Sequence, residues 1–394
     1  MTLLQGVDTM MFKRNRTKLS LVVGAVCAAM LTPAAPTAHA RTAEDDHTAT
    51  LAALKAFQAN AGPGAAIHAG AAGESWTLSA GTGTFNSDRP IQPDEHFRIG
   101  SQTKTFTAAV VLQLVDEGKV SLDAAIADHL PGVVTGNGYD GTRITVRQLL
   151  QHTSGLAAYN PYPITETPTS NPDGTYDLAE SVRKGLSYAP VSAPGTGFTY
   201  SNTNYLVLGM LVEKVTGQPV HEAVTRRVIE PLGLSRTVFP APGDRALPAP
   251  AVNGYHGARA GIFYFWRPAL TYDPSLYSSA AAMISTLEDL TTFYRALLAG
   301  RVVSAAGLAE MQKVREAGPG VSFGLGIGRK ELSCGIVAWG HSGGVPGYMS
   351  QTMVAENGRH ASVMTNALFL LNPPDDQLHE LLDTALCEDA AQRP

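Results

Sequence analysis

Apolar positions recur at helical spacing over residues 49–60 (ATLAALKAFQAN), and beyond them the period changes. Two alternating, glycine-punctuated stretches, 63–70 and 75–84, predict a pair of antiparallel strands. The strand signal returns at 322–329, 335–340, 348–354 and 361–366, and the last periodic stretch predicts a helix at about 375–387. Helical segments are expected between the two ends, at 122–130, 146–151, 178–186, 204–215 and 221–228. Residues 158–175 and 237–254 are rich in Pro, Gly, Asn and Thr, which predicts loops. No low-complexity linker and no internal repeat divides the chain. The pattern therefore predicts one α/β (α+β) body, residues 41–115 and 278–394, with a mostly helical insertion over 116–277. A cleft between the two parts is the expected place for a site.

Before this pattern begins, Lys13, Arg14, Arg16 and Lys18 precede an apolar run at 19–31, then Thr32-Pro33 and Ala38-His39-Ala40. That is the layout of a secretory signal cleaved after Ala40, and the run is too short to span a bilayer. Translation from Met10 or Met11 would retain all of it. Cys27 follows Val26, where a lipoprotein site would have a small residue, so it is read as discarded with the signal. Four of the 29 Lys and Arg and one of the 34 Asp and Glu lie in residues 1–40, which moves the net charge from −5 to −8 on cleavage. No basic cluster survives, which argues against nucleic acid and anionic membrane surfaces as partners. No later stretch would anchor the chain, so a soluble, secreted protein is expected. Cys334 and Cys387 remain. One disulfide or two buried thiols would both account for them.

Among nine lysines, two have a serine three residues earlier: Ser101/Lys104 and Ser181/Lys184. The second lies in DLAESVRKGL, the pattern of an exposed helix face. Ser101 instead follows Arg98-Ile99-Gly100 and precedes an apolar run from Phe106 to Val115 closed by Gly118. Those features predict a buried helix with Ser101 in its first turn and a glycine stop. A spacing of three places Ser101 and Lys104 within side-chain reach. Burial would depress the lysine toward a usable base, while the alternative is a helix cap with a solvated lysine.

Tyr200-Ser201-Asn202 follows the turn Pro194-Gly195-Thr196-Gly197 and precedes an apolar helix. Ser201 or Asn202 could simply cap that helix. Alternatively Tyr200 would shuttle protons, with Asn202 bonding Lys104 and a substrate amide. His-x-Gly occurs at His68-Ala69-Gly70, inside an early strand, and at His341-Ser342-Gly343, followed by Gly344. Small residues at the second would let a substrate backbone lie along the strand edge; a glycine-rich hairpin is the other reading. No histidine pair has metal-ligand spacing, so neither metal nor cofactor is expected.

Taken together, Ser101, Tyr200 and His341 would supply three walls of one cleft. This constellation resembles the penicillin-recognising serine hydrolases: DD-carboxypeptidases, class C β-lactamases and their esterase and peptidase relatives. The likeness rests on FRIGSQTKTFTAAVVLQLVDEGKVSLD, ITVRQLLQHTSGL, YSNTNYLVLGMLVEKVTG and LSCGIVAWGHSGGVPGY, and looks closest to the soluble exported DD-carboxypeptidase/transpeptidase branch. It implies a β-lactamase/DD-peptidase-like fold, an antiparallel sheet flanked by terminal helices with an inserted helical domain. It also implies Ser101 as the acylated nucleophile, Lys104 as its proton acceptor and Tyr200 as proton donor to the leaving amine. Asn202 would position Lys104 and the acyl chain, and His341 would support the proton network. The backbone N–H groups of Ser101 and Gly344 would form the oxyanion hole, and Cys334–Cys387 would be bridged. The partners implied are peptidoglycan-type peptides or β-lactams, met by a monomer.

Two positions depart from that branch. Gly344 stands where a hydroxyl-bearing residue would hold a terminal carboxylate, and Gly328 stands at the place of a carboxylate-binding arginine. Arg329 is adjacent to the latter, and Ser342 keeps one hydroxyl. The expected activity is D-alanyl-D-alanine carboxypeptidase. The alternatives are an esterase, a D-amino-acid amidase, a β-lactamase or a catalytically silent β-lactam-binding domain. The run Phe263-Tyr264-Phe265-Trp266, with Tyr272 and Tyr277, would wall the acyl pocket or pack in the core, and His152 is expected to hold a loop beside the site.

Overall fold

The computed structural model describes residues 47–71, 73–159, 167–260, 263–318, 320–369 and 374–388. The signal segment 1–40, with Met10, Met11, Cys27 and the Ala40 cleavage point, lies outside the described residues. The described residues, from His47 to Glu388, form one compact unit.

Its frame is an eight-stranded sheet, antiparallel at every pairing. The strands are β1 (Gly64–Ala71), β2 (Glu74–Gly81), β3 (Arg315–Gly318), β4 (Val321–Phe323), β5 (Gly328–Glu331), β6 (Val337–Val345), β7 (Tyr348–Ala355) and β8 (His360–Thr365). Across the sheet they run β2-β1-β8-β7-β6-β5-β4-β3. The N-terminal hairpin therefore joins the C-terminal strands through β1 and β8, with Ala65 opposite Thr365. Both chain ends build one sheet, as the strand pattern predicts.

Five helices position the site: α1 (Thr48–Ala61), α2 (Thr103–Asp116), α3 (Asn202–Thr216), α4 (Leu287–Leu298) and α5 (Asp375–Cys387). The terminal helices α1 and α5 cover one face of the sheet. There Leu54 and Phe57 pack with Leu381, Leu382, Ile67 and Val363. The other face meets α4 and the larger core that includes α2 and α3. Every α2 residue from Thr103 to Leu112 is buried, the mark of a helix with no solvent side. Its buried hydroxyls are satisfied, Thr105 donating to Gly326 O at 2.8 Å and Thr107 to Ser279 O at 2.9 Å. At its end Gly118, at φ +69°, donates to Val115 O while Lys119 donates to Leu114 O, the paired bonds of a Schellman stop.

The predicted strand 322–329 is two strands, β4 and β5. Between them the chain turns at Gly324–Ile327, where Leu325 and Gly326 donate to Met311 O and Leu150 O. A Cβ on Gly324 would stand 2.1 Å from Met311 O, so only glycine fits. The predicted strand 335–340 runs on to Val345, which brings the whole His341–Gly344 segment inside β6. Of the predicted helix 122–130, only Ile126–His129 is helical. A hairpin of Tyr255–Ala260 and Phe263–Pro268 carries the aromatic run and pairs with Ala367–Leu368 in a separate three-stranded sheet.

Candidate active site

Ser101 lies in a single 3₁₀ turn, Gly100–Gln102, that leads into α2, rather than in the first α-helical turn that its spacing predicts. Gly100 starts this turn at φ +54°, and a Cβ there would be 2.7 Å from the backbone nitrogen of Gly344. Gln102 anchors the turn to β7 by donating to Ser350 Oγ at 2.8 Å. Because 3₁₀ and α geometries both bring i and i+3 together, Lys104 still reaches back. Its Nζ sits 3.0 Å from Ser101 Oγ.

Lys104 has no exposed surface. Its Nζ also bonds Asn202 Oδ1 at 2.7 Å and Ala280 O at 2.9 Å, and lies 4.9 Å from the Tyr200 ring centroid. The carbonyls and the ring favour an ammonium, but burial outweighs them and pushes Lys104 well below its ordinary 10.5. A neutral amine fits the three contacts: two N–H bonds go to Asn202 and Ala280, and the lone pair is left for the Ser101 hydroxyl proton.

Tyr200 is 36% exposed, with one side toward the cleft. Burial of its hydroxyl raises the phenol above 10, and a hydrogen bond with Ser101 pulls it partly back. The Tyr200–Asn202 segment is held from beneath by His152, which is fully buried at φ +59°. His152 Nδ1 accepts the Ser201 N–H and faces Asn204 Nδ2, both at 3.1 Å. This assigns the ring proton to Nε2, and burial drives the group well below 6.5. Ser201 occupies the N-cap position of α3, yet its hydroxyl donates to Ala157 O at 2.7 Å and does not cap. Asn202 Nδ2 donates to Tyr159 O at 3.2 Å, which orients its oxygen toward Lys104.

His341 supplies the third wall from β6. Its Nδ1 lies 2.5 Å from Ser342 O, so Nδ1 carries the proton and Nε2 presents a lone pair. Burial and the neighbouring Lys104 push the imidazole down to about 3. The buried Nε2 has no hydrogen-bond partner among the described residues. Beside it, a Cβ on Gly343 would stand 1.9 Å from Ile99 O and 3.2 Å from Ser101 N. The β5–β6 ladder ends at Gly328 opposite Gly340, whereas β6 pairs with β7 as far as Val345. Residues His341–Val345 are thus unpaired on the β5 side, next to the Ser101 turn.

The strand's alternation places Trp339, His341 and Gly343 on the Ser101 face. Ser342 and Gly344 are exposed on the opposite one. A cavity of about 640 Å³ follows this edge, lined by Tyr200, Phe323, Arg329, His341, Met349 and Leu368 among others. Arg329 stands opposite Trp339 in the ladder, hence on the His341 face, and is half-buried. Among the described residues it has no ion-pair partner.

Residues 50–385 match the family model described as Beta-lactamase. The chain belongs to the beta-lactamase family. It is 30% identical to "Penicillin-binding protein 4" of Amycolatopsis lactamdurans over 81% of this chain and 85% of that protein. It is 31% identical to "Esterase EstB" of Burkholderia gladioli over 59% of this chain and 64% of that one. Among solved structures, a D-stereospecific amidohydrolase from Streptomyces sp. superposes with a TM-score of 0.77 at 38% identity, covering 87% of this chain and 99% of its own. The D-amino acid amidase from Ochrobactrum anthropi gives 0.75 at 25% identity, covering 88% and 99%. The protein is a serine hydrolase with the β-lactamase fold.

In this β-lactamase-family chain the bridge Cys334–Cys387 is formed and ties the turn before β6 to the end of α5. Ser181 and Lys184 sit on the helix Leu178–Leu186 and do not line the cavity; nor does His68, which bonds Thr77 within the β1–β2 pair. The aromatic run is peripheral. Tyr264 and Trp266 stack, and Phe369 meets both edge-on and lines the cavity. Among the described residues no cluster of three His, Cys, Asp or Glu could hold a metal. Ala280, Phe198 and Phe323 are contributors that the motifs leave out. Ala280 acts through its carbonyl, which no side-chain pattern signals.

Proposed function

We propose that this serine hydrolase is an exported D-alanyl-D-alanine carboxypeptidase that acts on peptidoglycan-like peptides through an acyl-enzyme on Ser101. The observation that carries it is the unbroken contact set Asn202–Lys104–Ser101–Tyr200, with a lysine that burial pushes well below its ordinary 10.5. Lys104 takes the Ser101 proton as Oγ bonds the scissile carbonyl carbon. The carbonyl oxygen becomes an oxyanion facing the N–H groups of Ser101 and Gly344, whose nitrogens flank Gly100. One such donor is typically worth ~3 kcal/mol in the transition state. Tyr200 gives its proton to the leaving nitrogen as the C–N bond breaks and regains one from the Lys104 ammonium. Water then repeats the sequence: its proton goes to the same basic groups, its oxygen bonds the acyl carbon, and Ser101 leaves with a proton returned to it. His341, with its proton held on Nδ1 by Ser342 O, leaves the Nε2 lone pair, unpartnered among the described residues, for a donor of the substrate or the attacking water.

Arg329, half-buried on the His341 face of the cavity and without an ion pair among the described residues, is suited to the carboxylate of the leaving D-residue. Gly344 offers no second hydroxyl, and the likeness to a D-stereospecific amidohydrolase supports a second reading, cleavage of D-amino-acid amides. The two separate on one comparison: a D-Ala-D-Ala peptide against the matching D-alanyl amide, in wild type and Arg329→Ala. The carboxypeptidase reading expects Arg329→Ala to lower kcat/KM for the carboxylate-bearing peptide at least tenfold more than for the amide. Equal losses, with the amide turned over faster, would shift the assignment to a D-amidase.

A further inference from the structure

Arg98 stands on the two-residue strand Phe97–Arg98, three positions before Ser101, and its side chain is only 5% exposed. Nη2 donates to Arg245 O at 2.7 Å, and the guanidinium lies 4.6 Å from the Tyr272 ring centroid. Nη1 is buried without any hydrogen-bond partner, and no carboxylate of the described residues pairs with this cation. The neighbouring acid is already engaged. Asp273 pairs with Arg245 at 2.9 Å and accepts from the backbone of Gly243 and Ser275. The Tyr272 hydroxyl also meets the guanidinium, but a buried guanidinium with no counter-charge stays unfavourable unless an anion occupies the space before it.

That space exists. Arg98, Arg245 and Tyr272, with Leu270, Pro346 and Tyr348, line a cavity of about 370 Å³, and none of them lines the cavity at His341. Asp273, and Asp173 at longer range, answer Arg245, while Arg98 has no carboxylate of its own among the described residues, which calls for a single negative charge beside it. Planar guanidinium donors match a carboxylate, and Leu270 and Pro346 offer apolar surface to what the carboxylate is attached to. We infer that this cavity is a second binding site, separate from the Ser101 cleft, for a small monocarboxylate held by Arg98. The inference stands on Arg98 and its surroundings and is independent of the proposed reaction.

Calorimetric titration of benzoate into the full chain at constant ionic strength tests it, with benzamide as the neutral control. Saturable benzoate binding is expected, at least tenfold tighter than benzamide. It should weaken at least tenfold in Arg98→Gln and stay unchanged in Arg329→Ala, which removes one cation of the other cavity. Should Arg98→Gln fail to fold, Leu270→Glu replaces it. Leu270 is 60% exposed at the rim, and a carboxylate there should weaken benzoate to a similar degree. Absence of saturable binding, binding indifferent to the Arg98 or Leu270 change, or binding lost in Arg329→Ala would each overturn the assignment.

Discussion

Asn202 Oδ1 lies 2.7 Å from Lys104 Nζ, a bond that joins the start of α3 to the helix behind the nucleophile. The amide oxygen accepts from the lysine without adding a charge, so burial keeps its control of the lysine's proton. Replacing that oxygen by a carboxylate, Asn202→Asp, would favour the ammonium and raise the lysine pKa. Activity needs the free amine and therefore rises as pH climbs through that pKa. The acid limb of kcat/KM for a nitrophenyl ester should move to higher pH by at least about one unit, a tenfold loss at pH values on the limb. A profile that superposes on wild type would separate Lys104 from the rate.

Gly343→Ala tests the contact between β6 and the Ser101 turn. The new methyl would meet Ile99 O at 1.9 Å and Ser101 N at 3.2 Å, so either the turn or the strand must move. Overpacking of this kind costs about 1–3 kcal/mol. Denaturant melts should show that loss, and acylation should fall more than tenfold. Gly197→Ala, where nothing lies within 4 Å of the Cβ and no left-handed φ is required, is the comparison that isolates the contact.

Acid should weaken the fold through its histidines. His341 is held down to about 3 and His360 to about 4, and His152 lies well below 6.5, burial being the main cause in each. Once unfolded they protonate near 6.5, so the unfolded chain binds more protons below that pH and stability falls as pH drops toward the folded values. Lowered carboxylates such as Glu117, at about 2, start to matter only below their ordinary 4.5. Urea melts should therefore show lower stability at pH 4.5 than at pH 7.5. Equal midpoints would mean that the imidazoles are not held neutral.

Much of this arrangement is legible in the chain, and what is not has tertiary causes. The run from Phe106 to Val115 and the stop at Gly118 show α2 directly, because propensity and burial agree there. The 3₁₀ turn under Ser101 is invisible to spacing, since an i,i+3 pair meets in either helix type. Alternation runs on through Gly324–Ile327, and only the approach of Met311 and Leu150 shows that two strands are needed. The glycines at 343 and 344 read as a break in a strand, yet they continue one because the Ser101 turn packs against them. His152 is expected beside the site, but its left-handed backbone and full burial beneath Tyr200 have no signature in pattern or composition. Helix α4 was within reach: Leu287, Leu290, Phe293, Tyr294 and Leu297 repeat at helical spacing.

The bridge Cys334–Cys387 closes a loop with a sequence separation of 53. By loop entropy it contributes ~4 kcal/mol, acting chiefly on the unfolded chain. The Cys334→Ser/Cys387→Ser protein should lose about 2–4 kcal/mol in denaturant melts. Its kcat/KM at 25 °C should stay within about twofold of wild type, because neither sulfur lines the cavity. A large drop in kcat with unchanged stability would assign the bridge to positioning β6 instead.

The most direct measurement is the site of acylation. The protein is incubated with benzylpenicillin, digested and mapped by mass spectrometry beside Ser101→Ala. One adduct is expected, on Ser101, absent from the variant and slowed by Lys104→Ala by at least about a hundredfold, in line with loss of a general base. An adduct on another residue, or one that persists in Ser101→Ala, would contradict acylation at Ser101.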